Sequence, residues 1–237
     1  MKSIKKVIII MISSVIGLSL AGCSRTSTGS KKADEALNAF NKIVKTYPEN
    51  KVFHKTLEHW GFKLPGGNKF EWTKDTSANK IDFAMVIKAD PLIKAGLNPK
   101  KLDQKNLIFK PTAVEDGVKQ GNRIVHPYNV SDKKEFSSGS EDALRRLLKQ
   151  DTSLIKYIKS ENHYMLMVGK GYEVHWAEKL GKTDEDMEFV IPAEPLIKAG
   201  LDVNKLKGTG WKLEKSSMDS SKINDDKNKL VRAFTLK

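Results

Sequence analysis

Cysteine is all but absent: Cys23 stands alone in 237 residues. Without a second thiol the chain can close no internal disulfide and can build no multi-thiolate zinc or iron–sulfur site, so its core has to hold by burial alone. Long apolar runs are missing as well. The one extended run, residues 7–20, falls short of the roughly 18 to 20 residues that a transmembrane helix needs. Acid is in deficit, with 42 Lys and Arg against 29 Asp and Glu and a formal charge of +13. Local catalytic signatures are absent too. Gly66-Gly67 is not followed by Lys-Ser/Thr and so is no phosphate-cradling loop. The chain has no Gly-x-Ser-x-Gly elbow, no His-Glu-x-x-His, and no Ser-x-x-Lys in a helical setting. No catalytic residue, metal site or cofactor is expected from these patterns.

What the amino terminus does contain is ordered. Met1-Lys2-Ser3-Ile4-Lys5-Lys6 is short and basic, the apolar run follows, and Leu20-Ala21-Gly22-Cys23 closes it. That tetrapeptide resembles the lipobox of bacterial lipoproteins. The resemblance implies that residues 1–22 are a signal peptide. It also implies that Cys23 carries the lipid and that the protein sits on the extracytoplasmic face of a cell membrane. Loss of Lys2, Lys5 and Lys6 would take the charge from +13 to +10. A chain of that charge beside a membrane attracts anionic envelope polymers without any specific site. The expected partners are the membrane, through the lipid, and an anionic envelope polymer or another surface protein. That address argues against nucleic acid. The Lys/Ile/Asn-rich usage matches a low-GC Gram-positive bacterium. Residues 23–32 are small and polar and read as a flexible tether.

The rest is a tandem repeat. Pro91-Leu92-Ile93-Lys94-Ala95-Gly96-Leu97 recurs unchanged as Pro195-Leu196-Ile197-Lys198-Ala199-Gly200-Leu201. The match extends in both directions: His59 with His163, Trp60 with Tyr164, Gly67 with Gly171, Trp72 with Trp176, and Asn122-Arg123-Ile124-Val125 with Asn228-Lys229-Leu230-Val231. Units at 33–130 and 141–237, joined by a polar linker at 131–140, are large enough to bury their own cores.

Each unit opens on a helix. Ala33, Ala36, Leu37, Phe40, Ile43 and Val44 form one apolar stripe, and Ala143, Leu144, Leu147 and Leu148 form the other, with Ser140 as N-cap. The spacing predicts a second short helix at about 52–58 and 154–159. A hairpin then alternates Trp60, Phe62 and Leu64 with polar residues, turns at Pro65-Gly66-Gly67-Asn68, and returns through Phe70 and Trp72. Tyr164, Leu166, Val174 and Trp176 repeat it, and further strands follow in both units. In the heptapeptide, Asp90 and Glu194 are placed to cap a short helix. Gly96 and Gly200 are placed to end it with positive φ. The expected class is α+β: two homologous repeats, each an antiparallel sheet with its amino-terminal helix packed on one face.

Two function classes fit. One is a non-enzymatic binding or structural envelope protein with its site in the cleft between the repeats. The other is an envelope enzyme with a dispersed active site there. The His residues that recur, His59 and His163, each precede an aromatic, Trp60 and Tyr164, and these four are the candidate ligand-binding residues. A histidine at a strand end bonded to backbone explains them more simply. Trp72, Trp176, Lys94 and Lys198 read as packing and surface residues. The acidic run Asp184-Glu185-Asp186 reads as a solvated loop.

Overall fold

The computed structural model describes residues 31–75, 80–130, 140–181, 185–215 and 228–237, without the side chains of Ser140 and Glu141. Cys23, the signal segment and most of the tether and linker lie outside that range, as does the proposed capping by Ser140. The first unit runs α1 (Lys31–Thr46), β1 (Lys51–His54), β2 (His59–Leu64), β3 (Asn68–Thr73), β4 (Phe83–Lys88), α2 (Asp90–Lys94), β5 (Ile108–Lys110), β6 (Val114–Glu115), β7 (Val118–Lys119) and β8 (Arg123–Tyr128). The second runs α3 (Ser140–Gln150), β9 (Ile155–Ile158), β10 (His163–Met167), β11 (Glu173–Ala177), β12 (Met187–Pro192), α4 (Ala193–Lys198), β13 (Lys212–Glu214) and β14 (Lys229–Phe234).

The six-stranded sheets have the orders β1-β2-β3-β4-β8-β5 and β9-β10-β11-β12-β14-β13, and all pairings are antiparallel. The orders correspond strand for strand, so the fold is α+β and duplicated. The register repeats as well: Trp60 faces Trp72 in one sheet and Tyr164 faces Trp176 in the other. Val52-Phe53-His54 and Ile155–Ile158 are strands, not the short helices their sequences predict. Each lies on its sheet's edge and pairs with one neighbour only. The partner strand supplies the order that a four-residue run cannot specify through period alone.

Buried aspartates repeat too. Asp82 accepts the Val130 amide at 2.7 Å, and Asp186 accepts that of Leu236 at 2.8 Å. Each ties the end of its unit back onto the sheet. Asp186 is therefore a buried structural group, not part of a solvated loop; Asp184 lies outside the described residues.

The helices lie between the two sheets and cross over. α1 runs against β9 and β11 of the second unit, while α3 runs against β3 of the first. Phe40 of α1 meets Phe62, Phe70 and Trp72 of the first sheet and Trp176 of the second, with ring centroids 5.5 to 6.1 Å apart. The Trp176 indole N–H donates to the Ala36 carbonyl at 3.0 Å. Asp34 of α1 meets Arg145 of α3 at 3.6 Å. One continuous apolar core results, drawing on both units.

The identical heptapeptides dock on each other. Each short helix ends in the same way: the amide after the glycine reaches back to the carbonyl of Leu92 or Leu196, with Gly96 and Gly200 at φ of 101° and 99°. The amide of Asn98 then donates to Ala199 of the other unit, and that of Asp202 donates to Ala95, both at 2.8 Å. This reciprocal pair marks a pseudo-twofold axis. It also accounts for the identity, because each turn is the other's binding surface. The expected acidic capping does not occur at Asp90. Asp90 instead accepts from Asn122 at 2.7 Å and meets Lys88 at 2.8 Å, and Glu194 meets Lys198 at 2.7 Å. Both acids sit inside the first turn, past the cap position, and pair with nearby side chains.

Candidate functional site

The pseudo-twofold axis creates two related clefts where the inner face of one sheet meets the β-turn of the other unit. In the first, β8 carries His126 inward. Its Nδ1 lies 2.7 Å from the Asn106 carbonyl, and its Nε2 lies against that of Val168. The Tyr172 ring stacks on it at 3.6 Å and 8°. Both partners of His126 are acceptors, so a neutral ring satisfies one of them and only the imidazolium satisfies both. Burial nevertheless holds its pKa below the ordinary 6.5, against the two carbonyls. Burial likewise pushes the Tyr172 hydroxyl up to about 12.

Beside this pair is a cavity of about 410 Å³. Pro127, Tyr128, Tyr172, Pro192 and Pro195 give it apolar walls, and Lys170, Lys229, Asp103 and Glu194 add charge. The cavity draws lining residues from both units.

The second cleft is built from the corresponding positions and is occupied by a larger side chain. Arg232 stands where the first has His126. It donates to the Thr209 carbonyl at 2.6 Å and lies against Gly66 and Gly210, so that a Cβ on either glycine would come within 2.9 or 3.0 Å of its guanidinium. Asn68 stands where the first cleft has Tyr172; it is fully buried and donates to Pro65. A long cation lies across one cleft, while a shorter imidazole under a tyrosine borders the cavity of the other.

The four residues singled out by the repeat do not converge. Strand alternation puts each histidine and its following aromatic on opposite faces. Trp60 and Tyr164 join the helix-facing side: Trp60 packs on the core beside Phe53, and Tyr164 lies 5.2 Å from Tyr157 and is pushed up to about 12 by burial. His59 and His163 face outward with the two-residue period, so no His–aromatic pair forms a single site. His59 bonds the Ile81 carbonyl at 3.0 Å, a structural role. His163 does not repeat that bond. It is 3% exposed, and among the described residues neither of its ring nitrogens has a hydrogen-bond partner.

The surroundings of His163 also differ from those of His59. Glu161, Glu173, His175 and Glu188 occupy the same face where the first unit has Leu57, Lys69, Glu71 and Ala84. His175 Nε2 lies 3.0 Å from Glu173, and its Nδ1 lies 3.4 Å from Glu188. Burial works against charge on His175, but the two carboxylates outweigh it and push the ring up to about 8. Hydrogen bonding to His175 in turn holds Glu188 below the usual range. Lys229 pairs with Glu173 at 3.2 Å. The first unit's face is neutralised locally, with Lys69–Glu71 at 3.1 Å and Arg123–Glu115 at 2.7 Å.

No family model, curated protein or solved structure matches the chain.

Proposed function

We propose that this is a lipid-anchored extracytoplasmic protein of the cell envelope that binds a ligand in the cleft at His126 and Tyr172. The observation that carries the binding reading is the divergence of the two clefts. Duplication builds both alike, and replacement of Arg232 and Asn68 by His126 and Tyr172 opens one of them with apolar, proline-rich walls. A pocket of this size and lining, at an interface with a few charged groups, suits a small molecule or chain end with an apolar body and a polar group. The alternative, catalysis at the cleft, loses support because both nitrogens of His126 are engaged by backbone carbonyls. A general base needs a free lone pair within reach of its substrate. The Lys-rich surface adds a weaker, non-specific attraction to anionic envelope polymers.

The address rests on the lipobox. Cells labelled with fatty acid should give an acylated, shortened protein from the wild-type gene and an unlabelled precursor from Cys23→Ala. A mature exported form with a free Cys23 thiol would refute the anchor.

The cleft is tested separately. Full-length chain immobilised on a resin and exposed to envelope extract should retain a ligand that elutes for mass spectrometry. Tyr172→Ala, which removes the stacked wall, should cut retention by about tenfold or more, as loss of an aromatic anchor does. Tyr157→Ala, on the far edge strand β9, should not. Equal retention by the two variants would move recognition elsewhere.

A further inference from the structure

The outward face of the second sheet carries a second chemistry, separate from the cleft. We propose that Glu161, His163 and Glu188 form a binding site for a divalent first-row transition metal of the zinc type. One ligand atom from each lies within 4.8 Å of the others. His163 comes from the start of β10, Glu161 from the turn just before it, and Glu188 from β12, two strands away in the sheet.

Three further observations support the site. His163 is almost fully buried, yet it has no hydrogen-bond partner for either nitrogen, and its Nδ1 stands 4.0 Å from Glu161. A buried imidazole normally has at least one nitrogen satisfied. Its counterpart His59 obeys that rule through Ile81, so the unsatisfied state belongs to the second unit alone.

Second, the set is specific to this unit. Glu161 and Glu188 stand where the first unit has Leu57 and Ala84, whose side chains carry no metal-ligating atom. Third, charge is in excess. Among the described residues, Glu161, Glu173 and Glu188 surround the ring of His175, and one ammonium, that of Lys229, pairs with Glu173. On a chain with a formal charge of +13, this is a concentrated acidic site that a dication would neutralise.

The donor set selects the metal. An imidazole with two carboxylates suits zinc and its first-row neighbours, whereas calcium and magnesium take oxygen ligands. Zinc bonds of about 2.0 to 2.2 Å require the three ligand atoms to draw closer than they now stand. Glu161, half exposed on a turn, has the freedom to close. His175 would act as a positioning residue. Held by Glu173, it sits against Glu188 and orients that carboxylate from behind, as outer carboxylate–histidine partners do in metal sites.

The full chain, purified in detergent and stripped with chelator, should bind one zinc ion in calorimetric titration. It should also take cobalt with the visible absorption of a nitrogen- and oxygen-ligated ion. Zinc should raise its melting temperature, because the metal binds the folded state. Glu188→Gln and Glu161→Gln should each weaken zinc by on the order of tenfold or more. Because Glu161 is exposed, its variant keeps the fold, and Asp116→Asn on the first unit's outer face should bind as wild type. Absence of saturable zinc binding would overturn the site, as would affinity unchanged in both glutamate variants. Tighter binding of calcium than of zinc would remove His163 from the ligand set and overturn it too.

Discussion

Replacing Gly96 or Gly200 with alanine should destabilise the protein by about 2 to 3 kcal/mol, more than a substitution at an ordinary surface turn. Two costs combine. Each glycine has φ near +100°, where a side chain is strained. Each also lies against the opposite turn, so that a Cβ on Gly96 would stand 2.9 Å from the Gly200 carbonyl, and the reverse distance is 3.0 Å. For a chain of this size the melting temperature should fall by about 5 to 10 °C. Gly117→Ala is the internal standard: its φ is +78° and no atom lies within 4 Å of a Cβ there, so it bears the strain alone. The double variant carries the sharper test. Once one methyl has pushed the turns apart, the second finds room, so the two losses should sum to more than the double variant shows, with a coupling above about 0.5 kcal/mol. Additive losses no larger than that of Gly117→Ala, measured by denaturant unfolding, would mean that the turns do not bear on each other.

Phe40→Ala should cost about 3 to 5 kcal/mol, a large part of the stability of a typical domain. The ring is 1% exposed and touches four aromatic rings drawn from both sheets. Truncation leaves a cavity that neither sheet can close without the other. Because the same side chain belongs to the cores of both units, wild type and variant alike should unfold in a single transition followed identically by tryptophan fluorescence and far-UV circular dichroism. Two transitions, only one of them shifted by the substitution, would show that the units are independent.

Much of this was legible in the sequence. The recurrence of the heptapeptide marked the duplication, and the alternation of Trp60, Phe62 and Leu64 against Phe70 and Trp72 gave the central hairpin and its inward face. Gly96 and Gly200 announced the helix ends. Sequence patterns could not show that α1, besides packing on its own sheet, also lies against β9 and β11 of the other unit, since an amphipathic stripe specifies burial but not every surface that buries it. β1 and β9 were obscured for a related reason: Val52-Phe53-His54 has no period of its own and gains its conformation from the pairing with β2.

The sites were harder still. His59 and His163 align, but what distinguishes them is on other strands: Glu188 lies 25 positions beyond His163 and reaches it only through the order β10-β11-β12. Comparison of the two units position by position does expose Glu161 and Glu188 as acids where the first unit has Leu57 and Ala84, and His175 as a histidine where it has Glu71. The same comparison exposes His126 against Arg232. It becomes informative only once strand pairing says which face each residue occupies.

The reciprocal bonds between Asn98 and Ala199 and between Asp202 and Ala95 are the contacts that two copies of a single-repeat chain would make. Such a pair would come apart on dilution, and every change on one side would appear on the other. Joining the halves in one polypeptide makes the association intramolecular, with an effective concentration that does not depend on how many molecules the cell produces. It also lets each half vary alone. A protein expressed at a few copies can stay assembled, and one half can give up a filling arginine or gain a set of carboxylates while the other keeps the scaffold sound.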